Sequence, residues 1–207
     1  MSSISIIGTG NMARTLGVRA IAGGNTVEIM GRNQSKATEL AKTLGGDTTT
    51  GEWGTAPAGD IVIVALLYDG VVAAVVQYGD ALAGKVIVDI SNPFNATFDG
   101  LAHRGETSIA REVAKAAPAG AGVVKAFNTV FRQVLEKGRP DVFIAGDDAS
   151  AKAQVEAFVE SLGLRPLDVG GLSMAHWLEG AGVLTVGLAN HGVGNLDFAI
   201  GVTELPV

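Results

Sequence analysis

The sequence predicts an α/β fold in which a doubly wound, mostly parallel sheet is followed by a short C-terminal helical segment. Apolar runs of strand length alternate with amphipathic stretches of helix length along most of the 207 residues, which is typical of strands joined by helical crossovers. The run at 61–67 is apolar without interruption, as expected for a parallel strand that is buried on both faces. We therefore assign residues 1–168 to the sheet domain and residues 169–207 to a helical segment packed on it.

The individual elements follow from hydrophobic periodicity and from the glycine and proline residues that end them. Strands are predicted at 4–7, 26–30, 48–50, 61–67, 86–90, 123–127, 142–145 and 165–168. Helices are predicted from the first glycine turn to Gly23, and then at 35–44, 70–78, 108–117, 149–162 and 172–200. Asp147 and Asp148 are expected to cap the helix that follows them. The last helical segment is a candidate dimer interface. Trp177 is expected to be buried by packing, and the alternative is that it lines a ligand site.

The first strand runs into a glycine turn whose spacing is that of a dinucleotide-binding site of the Rossmann type. Gly8 would allow the tight turn, Gly10 would let the backbone approach a pyrophosphate, and Ala13 would let the helix cross the strand closely. The amides of Gly10, Asn11 and Met12 at the helix start would face the pyrophosphate. Glycine pairs with the same spacing at 120–122, 180–182 and 192–194 lack a small residue at the sixth position, so the first copy alone has the full context.

The end of the second strand distinguishes between NAD and NADP. An NAD site needs Asp or Glu about twenty residues after the glycines, where it binds a ribose hydroxyl, but this chain has Gly31, Arg32 and Asn33. Arg32 offers a planar fork to the extra phosphate of NADP, and Lys36 adds a second positive charge. The alternative is that both cations are solvated charges at a helix start. The pattern favours NADP(H).

Polar and aromatic side chains follow the middle strands at their carboxyl ends, where open α/β sheets bind ligands. Tyr68 follows the uninterrupted apolar run, and Asn92, Pro93 and Phe94 follow the next strand. Asn128 ends the sixth strand and could orient a bound ring by hydrogen bonding; the alternative is that it caps the following turn. These residues predict a ligand-binding crevice.

The composition excludes several other classes of function. The net charge of −6 argues against a nucleic-acid partner, and the absence of Cys excludes disulfides and thiolate metal sites. His103, His176 and His191 lie far apart without metal-ligand spacing, so no metal site is expected. The N-terminal strand and the short apolar runs leave no signal peptide or membrane span, and we expect a cytoplasmic protein.

Several of these motifs together resemble a known family. They are the glycine loop, Arg32 with Lys36, and the runs Ser91-Asn92-Pro93, Val124-Lys125-Ala126-Phe127-Asn128-Thr129 and Leu162-Gly163-Leu164-Arg165-Pro166-Leu167-Asp168. Over nearly its whole length the chain is similar to the NADPH-dependent reductases of the deazaflavin coenzyme F-420, and to the related NADPH domain of the STEAP metalloreductases. The resemblance implies an oxidoreductase that transfers a hydride between NADP(H) and coenzyme F-420 or a flavin.

The resemblance also implies which residues lie at the cofactors. They are Thr9, Gly10, Asn11 and Met12 at the pyrophosphate, Arg32 and Lys36 at the extra phosphate, Tyr68, Val72 and Phe94 along the cofactor, and Asn128 to Arg132 near the nicotinamide and the acceptor. The other residues expected to bind the cofactor are Gly8, Gly31, Asn33, Ser35, Leu67, Asn92, Pro93 and Ala126. Archaeal members carry Ser-Arg-Arg in place of Gly31-Arg32-Asn33 and His in place of Asn128. Both the phosphate site and the acceptor site therefore differ from theirs.

Two other functions stay open from the sequence. The run Gly10-Asn11-Met12-Ala13 also resembles the start of pyrroline-carboxylate reductases and imine reductases, although those enzymes carry a long helical dimer domain that this chain lacks. The acceptor could accordingly be a cyclic imine, a flavin or a quinone. A non-catalytic NADP(H)-binding sensor is the other function, since no acid–base pair stands out. The partners expected are small-molecule cofactors, and a homodimer stays open.

Overall fold

The computed structural model describes residues 1–102 and 107–205. Its strands are β1 (Ser3–Ile7), β2 (Thr26–Met30), β3 (Thr49–Gly51), β4 (Ile61–Val64), β5 (Val86–Asp89), β6 (Gly122–Lys125), β7 (Asp141–Gly146) and β8 (Arg165–Asp168). They form one sheet in the order β3-β2-β1-β4-β5-β6-β7-β8. Every neighbouring pair is parallel except β6 and β7, which are antiparallel. The predicted α/β fold with a mostly parallel sheet is confirmed.

Helices cover both faces of this sheet, so it is doubly wound. The α-helices are α1 (Asn11–Ala22), α2 (Gln34–Leu44), α3 (Tyr68–Tyr78), α4 (Ile109–Ala116), α5 (Arg132–Lys137), α6 (Ala149–Ser161) and α7 (Ala175–Gly187). Short 3₁₀ segments at Gly79–Leu82 and Leu172–Met174 and a π-helical turn at Leu188–Val193 complete the helical elements. Alternate residues of each strand face opposite sides, so Ile61 and Ile63 pack under α1, α2 and α6 while Val62 and Val64 pack under α3 and α4.

Two strands end earlier than predicted. The apolar run at 61–67 leaves the sheet after Val64, and α3 begins at Tyr68 rather than at residue 70. Leu67 precedes α3 and is 81% exposed, so the end of the run is a loop at the surface and not part of a strand. The strand predicted at 123–127 ends at Lys125, because Phe127 adopts a φ of +61° that a strand cannot accommodate.

The C-terminal segment is helical over a shorter range than predicted. The helical elements end at Val193, where Gly194 has a left-handed φ of +78°, and the described residues from 195 to 205 form neither helix nor strand. The expected burial of Trp177 is wrong, because its residue is 66% exposed on the outward side of α7. The division of the chain at 168/169 stays a prediction.

The structure also bears on the predictions for the helix cap and the histidines. Asp148 caps α6 as predicted, since its side chain accepts a hydrogen bond from the Ala151 amide at 2.8 Å. His103 lies outside the described residues. His176 Nδ1 lies 3.1 Å from the Thr107 carbonyl oxygen, and His191 is exposed. In the two described ranges, we find neither a cluster of three or more His, Asp or Glu residues suited to a metal ion nor a helix long and apolar enough to cross a membrane.

Candidate functional site

Gly8 forms the turn that carries the chain from β1 toward α1. Its φ of +138° is one that side chains rarely adopt, and a Cβ built on it would lie 2.3 Å from the carbonyl oxygen of Ala65. Its amide donates a hydrogen bond to the carbonyl oxygen of Met30 at 2.8 Å. Gly8 is therefore required by the fold itself, with or without a ligand.

Gly10 differs from Gly8 because it starts α1 in an ordinary extended conformation, with φ −85° and ψ −175°. No side chain caps this helix, and a Cβ on Gly10 would meet no atom within 4 Å. Ala13 is fully buried beneath the first turn. The helix start thus combines open space with amides that have no intrahelical acceptor and with the positive end of the helix dipole. An anion such as a pyrophosphate fits there.

A crevice runs from this helix start along the carboxyl ends of the central strands. One cavity of about 380 Å³ is lined by Gly10, Asn11, Met12, Ala65, Leu66, Leu67, Tyr68, Ile90, Ser91, Asn92 and Phe94. A second cavity of about 290 Å³ is lined by Met12, Ile90, Asn92, Phe94, Phe127, Asn128, Thr129, Val130, Phe131, Arg132, Gln133 and Thr185. Because the two cavities share four lining residues, they adjoin and together make up the crevice.

Of the nine predicted site residues from Leu67 to Arg132, three do not line this crevice. Val72 is half-buried in α3, and Pro93 and Ala126 are buried. A larger cavity of about 520 Å³ lies at the amino ends of β1, β2 and β4 and contains none of the predicted residues. Ligands of open α/β sheets bind at the carboxyl ends of the strands, so we place the candidate site in the crevice.

The predicted phosphate-binding residues lie on another side of the glycine loop. Gly31 is buried, and a Cβ on it would lie 2.9 Å from Cγ2 of Thr9. Lys36 lines a cavity of about 340 Å³ together with Thr9, Arg14 and Glu39. Sequence reasoning missed Arg14, which no motif singles out. The structure therefore brings Lys36 to the glycine loop, as the NADP hypothesis requires.

Asn33 and Arg32 are each engaged by a neighbour. The Asn33 side chain accepts a hydrogen bond from the Lys36 amide at 3.0 Å and so caps α2, whose first turn holds the exposed Ser35. The Cζ atom of Arg32 lies 5.7 Å from the ring centroid of Trp53. Trp53 carried no signal in the sequence, because an isolated tryptophan in a loop fits no motif.

A buried ionic network joins β5, β6 and α7 next to the crevice. Lys125 Nζ donates to Asp89 Oδ2 at 2.8 Å, to Glu179 Oε1 at 2.9 Å and to the Ser91 carbonyl oxygen at 2.6 Å. The side chains of Lys125, Asp89 and Glu179 are all fully buried. Sequence reasoning missed these three residues, although a charge inside the apolar run Val124 to Phe127 was a signal, because buried charges are rare unless they are paired.

Asn128 lies in the same region and connects the strand ends to α7. Its Nδ2 donates to Asn92 Oδ1 and to the Leu178 carbonyl oxygen, both at 2.8 Å, while Asn92 Nδ2 donates to the Asn128 carbonyl oxygen at 2.6 Å. Among the side chains of the described ranges, Asn128 Oδ1 is the one buried nitrogen or oxygen atom with no hydrogen-bond partner. The side-chain N–H groups of Asn128 are thus both bonded within the protein, and its side-chain oxygen is the acceptor that lacks a partner.

The backbone just before Asn128 is strained. Phe127 is 1% exposed and has a φ of +61°, which is uncommon for residues other than glycine. Its ring packs edge-on against Phe158, with the centroids 6.3 Å apart, and this contact holds it in the core. Such strain concentrates at functional sites, where the surrounding packing maintains it. Here the left-handed turn at Phe127 places Asn128 and Thr129 in the lining of the crevice.

Known proteins resemble this chain along most of its length. Residues 3–93 match the family profile described as NADP oxidoreductase, coenzyme F420-dependent. The chain is 33% identical over 180 residues to the metalloreductase STEAP3 of Rattus norvegicus, a match that covers 85% of this chain but 35% of that protein. It is 30% identical over 201 residues to the F420-dependent NADP reductase of Methanocaldococcus jannaschii, covering 87% of this chain and 89% of that protein.

A solved structure shares the fold over the whole chain. It is that of a candidate F420-dependent NADP reductase from Arthrobacter sp. FB24, with a TM-score of 0.87 and 24% identity, covering 99% of this chain and 100% of that chain. The match to the Methanocaldococcus jannaschii protein extends along nearly all of both sequences. The chain therefore belongs to the coenzyme F420-dependent NADP oxidoreductase family.

Proposed function

We propose that this protein is an oxidoreductase that transfers a hydride between NADP(H) and the deazaflavin coenzyme F-420. Membership of the family supports the general part, an NADP-dependent oxidoreductase. The observation that supports the site is the crevice of two adjoining cavities, which extends from the uncapped start of α1 at Gly10 to the strand end at Asn128.

A bound NADP(H) would be held in three places. The amides of Gly10, Asn11 and Met12 would bind the pyrophosphate, for which the open space at the helix start leaves room. Arg32 and Lys36 would bind the extra phosphate. The remaining cofactor residues of the proposal are Gly8, Thr9, Gly31, Asn33 and Ser35 near the loop and the phosphate, and Leu67, Tyr68, Asn92, Phe94, Asn128 and Arg132 toward the nicotinamide and the acceptor. The proposal gives Val72, Pro93 and Ala126 no contact with the cofactor, because they do not line the crevice.

The chemistry of the crevice suits hydride transfer between two cofactors. Arg132 is the one charged side chain among the residues that line it, and its Nη1 is paired with Glu136 Oε1 at 2.6 Å. When bound, NADP(H) and the deazaflavin supply the hydride chemistry. The protein's own residues therefore have to bind the two ring systems, hold them in contact and exclude water. No acid–base pair is needed for this task.

Anaerobic mixing of the purified protein with NADPH and coenzyme F-420 tests the proposal. We expect multiple turnovers, measured as the loss of nicotinamide absorbance together with reduction of the deazaflavin. Parallel reactions with flavins, quinones and cyclic imines identify the acceptor class if F-420 is inactive. Tight binding of NADPH without turnover of any acceptor would indicate a sensor and would overturn the enzymatic proposal.

One observation favours a second candidate, an NADPH-dependent reductase of another acceptor. The identity to STEAP3, which is named a metalloreductase, is 33%, although the chain spans about a third of that protein's length. A flavin and a ferric chelate therefore belong in the same panel of acceptors. The cytoplasmic location and the homodimer stay predictions.

A further inference from the structure

Trp53 lies against Arg32, the residue that we propose for the extra phosphate of NADP(H). The distance from Arg32 Cζ to the indole centroid is 5.7 Å, which is within the range of a cation–π contact. Arg32 is exposed, and among the described residues its guanidinium has no hydrogen-bond or carboxylate partner. The indole is thus its one specific contact within the described chain.

A second aromatic ring holds the indole in place. Trp53 packs edge-on against Tyr78, with the ring centroids 5.4 Å apart and the planes at 73°. Tyr78 is 3% exposed, and its hydroxyl lies 3.9 Å from the sulfur of Met30. Met30 ends β2 and directly precedes Gly31 and Arg32. The end of β2 therefore contacts the Tyr78 side chain and also carries the Arg32 side chain. Burial raises the pKa of the Tyr78 phenol above its ordinary value, which already lies well above neutral pH, so the ring is uncharged there.

A cation–π contact leaves the hydrogen-bond donors of Arg32 available. A guanidinium that lies over an aromatic face keeps the N–H groups at its edge free to form a fork with a phosphate. An unsupported arginine side chain would have to lose its rotamer freedom when the phosphate arrives. A guanidinium that is already ordered by the indole avoids part of that cost.

We propose that Trp53 is a positioning residue for cofactor specificity, which holds the guanidinium of Arg32 ready for the extra phosphate of NADP(H). The inference rests on the proposed function, because it requires the phosphate site to be at Arg32. Trp53 acts here through Arg32 and makes no contact with the phosphate itself. Its removal therefore weakens the binding of ligands that carry a 2′-phosphate and leaves the binding of other adenine nucleotides unchanged.

The test compares 2′,5′-ADP with 5′-AMP, which differ in the 2′-phosphate, by calorimetric titration of the full chain. We expect the preference for 2′,5′-ADP to fall about two- to fivefold in Trp53→Leu. In Arg32→Ala it should fall by more than about tenfold, because the charged partner itself is gone. The double variant should match Arg32→Ala, since the tryptophan has no role without the arginine.

Two conservative variants separate positioning from a general loss of structure. Trp53→Phe keeps an aromatic face under the guanidinium and should retain most of the preference. Tyr78→Phe perturbs the same cluster but keeps the ring that supports the indole, and it should bind like the wild type. Thermal unfolding of each variant shows whether the fold is intact.

Fluorescence provides a measurement that does not depend on Trp53→Leu folding. The chain has 2 tryptophans, so Trp177→Phe leaves Trp53 as the source of indole emission. Saturating 2′,5′-ADP should change this emission, because the 2′-phosphate binds the guanidinium that contacts the indole. 5′-AMP, which lacks that phosphate, should change it less. Emission that stays constant while 2′,5′-ADP binds would overturn the inference.

The outcomes also distinguish this inference from the proposed function. A preference that is lost in Arg32→Ala but unchanged in Trp53→Leu overturns the role of Trp53 and leaves the phosphate site in place. A double variant weaker than Arg32→Ala shows that Trp53 contacts the ligand directly, which also overturns positioning. A wild type without any preference for 2′,5′-ADP overturns the phosphate site, and the inference with it.

Discussion

The substitution Gly10→Ala tests the glycine loop most directly, because it separates binding from folding. Gly10 has a backbone conformation open to any L-residue, and the added methyl group would meet no protein atom within 4 Å. The helix start therefore tolerates the change, at a cost of about 1 kcal/mol or less for a poorer N-terminal cap. The methyl group instead occupies the space in which we propose the pyrophosphate to lie.

The expected loss of affinity follows from that overlap. Forcing a methyl group into an occupied site costs about 1–3 kcal/mol when the surroundings must shift. This range corresponds to a dissociation constant for NADPH that is about five- to 150-fold higher, since each 1.4 kcal/mol is tenfold. Calorimetric titration with NADPH measures the affinity, and chemical unfolding measures the stability of the same preparation.

Two other glycines serve as controls. Gly8→Ala forces a side chain into φ +138° and places its Cβ 2.3 Å from the Ala65 carbonyl, so we expect a loss of about 2–4 kcal/mol in the free energy of unfolding. Gly180 lies in α7, where a Cβ also meets no atom within 4 Å, and Gly180→Ala should change neither the affinity nor the fold adversely.

The result that refutes this reasoning is normal NADPH affinity in Gly10→Ala with an intact fold. The pyrophosphate would then lie elsewhere, and the open space at the start of α1 would have no role in binding. A loss of stability in Gly10→Ala as large as that in Gly8→Ala would equally contradict the structural distinction between the two glycines.

Three further predictions address other parts of the chain. Arg32→Ala should weaken NADPH binding by about 1.5–3 kcal/mol and NADH binding little, and equal losses in calorimetry would remove Arg32 from the phosphate site. Asn128→Ala should slow hydride transfer or weaken acceptor binding by about tenfold or more, with NADPH affinity nearly unchanged in stopped-flow and binding measurements. Arg165, which donates to Asp141 at 2.6 Å, holds the pKa of that carboxyl below its usual range. The stability from this pair is therefore present above the unfolded value of about 4 and is lost as the pH falls through the lower folded value. Asp141→Asn should cost about 1–2 kcal/mol at neutral pH and flatten the acid side of a thermal unfolding profile; an unchanged profile would contradict this.

Local patterns in the sequence were sufficient for most of the fold, including the glycine turn and the start of α1. The run before Gly8 and the helical spacing after Gly10 are contiguous, and both the turn and the helix depend on neighbouring residues. The short helix α5 was missed, because Arg132–Lys137 is too brief to show a helical period. The residues after Val64 were predicted as strand because they are apolar. Hydrophobicity alone cannot distinguish residues inside a sheet from residues that line a crevice.

Contacts between distant residues could not be predicted from the same patterns. Lys125 and Glu179 are 54 positions apart, and no periodicity connects them. Trp53 and Arg32 meet because β3 pairs with β2, which brings the loop after β3 beside the loop after β2. Both contacts depend on the assembled sheet, so the sequence supplies the residues but not their pairing.

The segment after residue 168 is structurally part of the crevice, even though the sequence sets it apart. Leu178 and Glu179 of α7 accept hydrogen bonds from Asn128 and Lys125. The helix also approaches so closely at Gly182 that a Cβ there would lie 2.7 Å from Asn92 Oδ1. Lys125 is paired with Asp89 of β5, and Glu179 places a second buried carboxylate on the same ammonium, so this ionic network joins α7 to β5 and β6. The shape of the crevice near Asn128 is therefore set by α7 and the strand ends together, and changes in α7 would alter which acceptor fits.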